Sequence, residues 1–305
     1  MEFFLGKVIE YFVSIFPWIL LGSAIDYTLG RFIRLQYIVS YLQKPTPVRI
    51  FVVNIFGMLS PFTTMSFLPI ANKLIKRGAH VGLILGFLSS ERAYGIQSFF
   101  IISALFSVKI ALLHVLVLVF SLCIASLFVR STDSLNKDAN VAGVAGRHIP
   151  ATMHQFLIRQ LKIYALVLVG VILAAGLDAF VPTELVGIFS DNLITSLIGI
   201  LVFSLVMYLG TIFGNYPVAA SFLSLGMPLV SVFVFLVLSP LFNIVTIILL
   251  ASSVRTRYVL KFVALYSITG FVLSIFWLQF CFFNASAVHG TKKPCKMCCT
   301  TLSLC

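Results

Sequence analysis

Charged residues are scarce in this chain: Asp, Glu, Lys and Arg together make up 10% of 305 residues, and only nine of them are acidic. So thin a polar complement excludes a soluble globular domain, which must clothe its core in polar groups. Signatures of hydrolytic and phosphoryl chemistry are missing as well. There is no Gly-x-x-x-x-Gly-Lys-Ser/Thr loop to hold a nucleotide, no His-Glu-x-x-His and no Gly-x-Ser-x-Gly, and the chain reads as a non-enzyme. His80 and His114 stand alone, without the Cys/His/Glu spacing of a closed metal site, so neither a resident metal nor another cofactor is expected. Cysteine is nearly absent before the end: Cys123 and Cys281 precede a cluster of Cys295, Cys298, Cys299 and Cys305. That tail could bind a soft metal, accept palmitate or remain reduced. Asn284-Ala285-Ser286 has the form of a glycosylation acceptor but abuts an apolar run, which argues against its use.

What is present is apolar. Hydrophobic residues make up 60% of the chain and the mean hydropathy is +1.11, a surface that only membrane lipid can satisfy. Apolar windows cut by Lys and Arg predict about eight spans, near residues 8–29, 49–70, 79–105, 109–129, 161–181, 193–214, 226–250 and 258–283. The first lacks a small-x-small cleavage site and is expected to be retained. The fold class expected is therefore all-α, a polytopic membrane protein. A formal net charge of +12 fits loops held beside anionic lipid, and no soluble stretch is large enough for a nucleic-acid module.

Residues 130–160 form the one long polar segment, with Arg130, Lys137, Arg147 and Arg159 among its charges. It reads as a basic cytoplasmic linker between a first transmembrane unit, 1–129, and a second, 161–284, followed by the Cys-rich tail 285–305. Four crossings on each side of it put both termini in the cytoplasm, although Arg31, Arg34, Lys44 and Arg49 then fall in an outer loop.

The two units resemble each other. Pro69-Ile70-Ala71, Leu74-Ile75 and Gly78 match Pro217-Val218-Ala219, Phe222-Leu223 and Gly226, each pair 148 positions apart. The same offset relates Gly22 to Gly170, Phe87-Leu88 to Phe235-Leu236, and Lys109 to Arg257. Two repeated halves suit a carrier, because a site at their interface can be opened to either side of the membrane in turn.

Helix-breaking residues recur at equivalent places: Gly57, Pro61 and Pro69 in one half, Gly210, Gly214 and Pro217 in the other. Proline removes an amide donor and frees carbonyls that protein, water or a solute must satisfy. Paired interruptions of this kind mark candidate transport sites, although a single proline serves equally well as a packing kink. Around them lie Thr63, Thr64, Met65 and Ser66, and Tyr208, Thr211, Asn215 and Tyr216. The hydroxyls can bond a solute or their own helix, and Met65 can touch a soft centre or merely pack. Glu91 and Arg92 interrupt an apolar stretch. A charge at that depth costs about 2.5–3.5 kcal/mol unless paired or wetted, so they are candidate coupling or gating residues, or else lie near water at a turn between half-segments. Neighbouring helical positions face apart, and each is expected to find its own partner unless Ser89, Ser90 and Gly95 mark a local break. Asp26, Asp178, Glu10 and Glu184 lie near span ends, where a charge is cheap.

The chain resembles the ArsP-type predicted permeases, organoarsenical-efflux-like membrane proteins, from Pro61 onward. That family's Pro-Phe-Cys-Ser-Cys-Ser-Ser-x-Pro keeps its frame here in Pro61-Phe62 and Pro69, and Phe106-Ser107-Val108-Lys109-Ile110-Ala111-Leu112-Leu113 and Val181-Pro182-Thr183-Glu184-Leu185 match two further stretches. The resemblance implies a secondary permease or efflux carrier of the cell inner membrane that moves a small-molecule or metalloid solute. Thr63 and Met65 replace the family's cysteines, and Glu91-Arg92 its Ser-Pro pair, so thiolate ligation of arsenic is not implied. The expected pathway residues are Pro61, Thr63, Thr64, Met65, Ser66, Pro69, Tyr208, Asn215 and Pro217. The alternative is a membrane subunit or scaffold that transports nothing; oligomeric state is open.

Overall fold

The structure, a computed structural model, describes residues 2–32, 42, 45–60, 71, 74–75, 79–129, 153–181, 192–206, 212–252 and 254–289. Among these residues the regular elements are all helical. In the first half they are α1 (Glu2–Phe32), α2 (Pro47–Met58), α3 (Val81–Ala93), α4 (Ile96–Leu105) and α5 (Val108–Phe128). The second half has α6 (Met153–Phe180), α7 (Leu193–Val206), a 3-10 turn (Ile212–Gly214), α8 (Asn215–Ser224), α9 (Leu229–Leu238), α10 (Ile244–Ala251) and α11 (Thr256–His289). Four segments are long and apolar enough to cross a membrane: Phe3–Ile25, Val108–Phe128, Gln160–Phe180 and Thr256–Trp277. Each has 21 to 23 residues, which at about 1.5 Å per residue matches a hydrocarbon layer about 30 Å thick. Their outward faces carry the lipid-compatible side chains. On α5, Leu112, Leu116 and Phe120 recur every fourth residue and are exposed, while His114, Val117 and Ser121 on the opposite side are buried.

The stretch 226–250, expected as a single span, is two helices, and so is 79–105, for which one span and two half-segments both stood open. Tyr94 and Gly95 between α3 and α4 are extended, at φ −154° and −132°. Between α9 and α10, Pro240 has no amide hydrogen to continue the helix, and Asn243, at φ −141°, caps the next one by accepting the Thr246 amide at 2.7 Å. Apolar residues enclose the second break, so a hydropathy window runs straight across it, whereas Glu91, Arg92, Gln97 and Ser98 lie beside the first. Helix α6 begins at Met153, inside the segment assigned by composition to the linker, because the helix continues past its apolar window into polar surroundings. Gly226, at φ 95°, ends α8 with the backward Met227-to-Phe222 bond that a left-handed residue permits.

Helices α5 and α11 pack along each other; α2, α3 and α4 surround α5, while α9 and α10 lie against α11. Helix α1 packs against α4 and α6, and α6 against α8. Where α1, α4 and α6 meet, Gln97 donates to Ser23 Oγ (2.8 Å) and Gln160 Oε1 (3.0 Å), and Ser23 donates to Gln160 Oε1 (2.9 Å). Small residues set the closest approaches: a Cβ on Gly57 would lie 2.7 Å from the Phe87 carbonyl, and one on Gly170 would collide with the backbone of Gly214.

Candidate functional site

Three interruptions of helical structure converge: the α3–α4 break, the α9–α10 break, and the 3-10 turn that leads into α8. Arg92, in the last turn of α3, reaches out of its own half and donates from Nε to Thr246 Oγ1 of α10 at 3.2 Å. Thr246 in turn donates to the Pro240 carbonyl at 3.1 Å. From the 3-10 turn, the Phe213 ring comes so close to Gly95 that an added Cβ would meet it at 3.2 Å. Asn215, at the start of α8, donates from Nδ2 to Ser239 Oγ at 3.1 Å, and so ties the turn to the α9–α10 break. Each interruption therefore touches the other two.

Pro217 stands in the first turn of α8, where its missing amide costs nothing and its fixed φ helps the helix start. Gly214 allows the turn to lie directly on Gly170 of α6. The site is thus backed by α6 and by α5, whose buried His114 bonds the Leu236 carbonyl through Nε2 at 3.2 Å and packs its ring 5.8 Å from Tyr94.

The polar atoms here are incompletely used. Tyr94 OH, Asn215 Oδ1 and Tyr216 OH are buried and have no hydrogen-bond partner among the described residues. Tyr94 and Tyr216 are close enough to interact electrostatically. Ser98 lies beside the Tyr216 hydroxyl without the geometry of a good hydrogen bond, while its own Oγ accepts the Gly95 amide at 3.2 Å. Leaving such groups buried and unpaired costs about 1–3 kcal/mol each, a penalty that water or a polar solute arriving between the breaks removes. Hydroxyls, an amide carbonyl and a guanidinium can bind a small polar solute; among the described residues, no three His, Cys, Asp or Glu side chains converge as a metal site would need.

Of the residues expected from sequence, Asn215, Pro217 and Arg92 belong to this convergence, and Glu91 occupies the same turn as Arg92, half-buried. Pro61, Thr63, Thr64, Met65, Ser66, Pro69, Tyr208 and Thr211 lie outside the described residues. Sequence reasoning passed over Tyr94, Ser98, Phe213, Ser239, Asn243 and Thr246, whereas Gly95 was among the residues that could mark a break. A signal existed for the second break: Pro240 and Asn243 sit in an otherwise apolar window, and Ser239-Pro240 lies 148 residues after Glu91-Arg92.

The chain matches the model of a family described as a predicted permease, ArsP_1, over residues 1–131 and 143–277. No curated protein and no solved structure matches it.

Proposed function

We propose that this chain, which belongs to the ArsP_1 family of predicted permeases, is a multi-pass secondary transporter of the inner membrane whose pathway runs between its interrupted helices. The observation that carries the reading is the mutual contact of three interruptions at buried polar atoms that have no partner among the described residues. Discontinuous helices meeting between repeated halves are the arrangement in which carriers expose a midplane site alternately to each side.

Support for two repeated halves comes from the helix starts. Helices α3, α4 and α5 begin at residues 81, 96 and 108, and α9, α10 and α11 at 229, 244 and 256, the same offset of 148 that relates the sequences. Equivalent helices also pair with each other, α1 with α6 and α5 with α11. In this register Met65 corresponds to Phe213 and Asn243 to Gly95, so Met65 is the counterpart in sequence of the residue that faces the α3–α4 break. Pro61, Thr63, Thr64, Ser66 and Pro69 are then the first half's pathway residues, as Tyr208, Asn215 and Pro217 are the second's. Arg92 gates it through Thr246, and Glu91 is a candidate coupling group.

The solute is small and polar or metalloid, bound without thiolates. The test is flux in inverted vesicles across trivalent organoarsenicals, arsenite and other soft metalloids, with single-cysteine labelling at position 215 in a cysteine-free protein. Transport of a panel member is expected to fall at least tenfold in Asn215→Ala and Arg92→Ala and to depend on Met65. The cysteine should react with an impermeant maleimide from either side. No flux, a cysteine inert from both sides and a stoichiometric co-purifying partner would together replace the reading with a non-transporting subunit.

A further inference from the structure

Helices α1 and α6 occupy equivalent places in the two halves, with Gly22 and Gly170 in register at the offset of 148. They run in opposite directions. The Phe4 and Phe180 rings lie 5.9 Å apart, Tyr11 donates to Asp178 Oδ2 at 2.8 Å, the Phe16 and Tyr164 rings lie 6.2 Å apart, and Ser23 donates to Gln160 Oε1 at 2.9 Å. As α1 advances from residue 4 to 23, its partners on α6 recede from 180 to 160. Both helices are long and apolar enough to cross a membrane, as Phe3–Ile25 and Gln160–Phe180. A rotation axis along the membrane normal would leave equivalent helices parallel; only an axis lying in the membrane plane turns one against the other.

We infer that the two halves are inverted repeats, and that α1 enters the membrane from outside while α6 enters it from the cytoplasm. The direction comes from charge. The end of the pair where α1 finishes and α6 starts is flanked by Arg31 and Arg34 after the first span and by Arg147 and Arg159 before the second. At the opposite end, the stretch 181–195 that follows α6 contains Glu184 and Asp191 and no Lys or Arg, while Lys7, near the start of α1, is ion-paired to Glu10 at 2.9 Å. Lys and Arg that flank a span are retained on the cytoplasmic side, so the Arg-rich end is the cytoplasmic one. Arg31 and Arg34 thereby join the basic linker on one face instead of falling in an outer loop. A first half that starts outside and hands over to a cytoplasmic linker crosses the membrane an odd number of times, in place of the four crossings expected from the apolar windows. For a solute the consequence is mechanical. A rearrangement of one half that opens the candidate site to one face has its counterpart in the other half, which opens the site to the opposite face.

The inference rests on the membrane-spanning part of the transport reading, but its test needs no solute. Single cysteines in the full-length, cysteine-free protein would be labelled with an impermeant maleimide in right-side-out and in inverted vesicles. Glu2→Cys and Glu184→Cys are expected to react at least tenfold faster in right-side-out vesicles. Thr28→Cys and His154→Cys, at positions exposed in the structure, should react at least tenfold faster in inverted ones. The packing is read separately with a short bifunctional thiol reagent and mass spectrometry of the linked peptides: Phe4→Cys with Phe180→Cys should be bridged, and Phe4→Cys with Leu157→Cys should not. Reaction of Glu2→Cys and His154→Cys from the same side, or bridging of the second pair in place of the first, overturns the inverted arrangement. The four sites labelled with the faces exchanged, or from both faces equally, overturn the orientation. Expected labelling without flux of any panel solute would count against the transport reading alone, and flux with α1 and α6 labelled as parallel helices would count against this inference alone.

Discussion

Asn54 is fully buried among α2, α3 and α5, and its polar atoms are all engaged. Its Nδ2 donates to the Ile50 carbonyl at 3.0 Å and approaches Cys123 Sγ at 3.6 Å, while Oδ1 accepts from Ser90 at 2.8 Å. Tyr216 is equally buried, yet its hydroxyl has no hydrogen-bond partner among the described residues. The two should respond oppositely to truncation. Asn54→Ala removes satisfied bonds and is expected to cost about 1–3 kcal/mol, read as a lowered unfolding temperature in detergent. Tyr216→Phe removes an oxygen without a partner among the described residues and should raise stability by about 1–3 kcal/mol while reducing flux of any transported panel solute. Equal loss of stability in both variants would remove the distinction between structural and solute-facing polar groups.

Among helices, the approach of α6 to the 3-10 turn decides where Asn215 and Tyr216 stand. A Cβ at Gly170 collides with the backbone of Gly214, which cannot swing aside as a side chain can, whereas one at Gly176 of the same helix meets nothing within 4 Å. Gly170→Ala should therefore displace the turn and lower both stability and transport. Gly176→Ala should gain about 0.8–1 kcal/mol of helix propensity. Thermal unfolding of the pair measures the contrast within one element; a Gly170→Ala variant as stable as wild type would mean that the turn relaxes freely. Gly170 was legible in advance as the counterpart of Gly22. What it touches was not, since its partner is a turn 44 residues away that no periodicity announces.

On the scale of the whole molecule, the halves interlock through α1 with α6, α5 with α11 and α4 with α8, and through polar bonds such as Gln97 to Gln160. Such an interface should survive cutting the connection between residues 130 and 152. Co-expressed fragments 1–140 and 141–305 are expected to co-purify in a one-to-one ratio, and to separate or aggregate when Gln97→Leu and Gln160→Leu are combined. Fragments that never associate would show that the covalent connection, not the interface, holds the halves together.

Composition determined that this chain lives in lipid, because 10% charge cannot clothe a soluble domain, and its long unbroken apolar runs determined that it is built of helices. The offset of 148 residues was legible too, as was the oddity of Glu91-Arg92. The tertiary structure alone decided that the third apolar stretch of each half is broken, that Arg92 meets Thr246 and that Asp178 gathers Tyr11, Ser221 and Ser224. A hydropathy window averages over neighbours in sequence, while a buried donor finds its acceptor among neighbours in space. Here those partners lie 154 residues away for Arg92, and 167 and 43 for Asp178, so only the packing of the helices could select them.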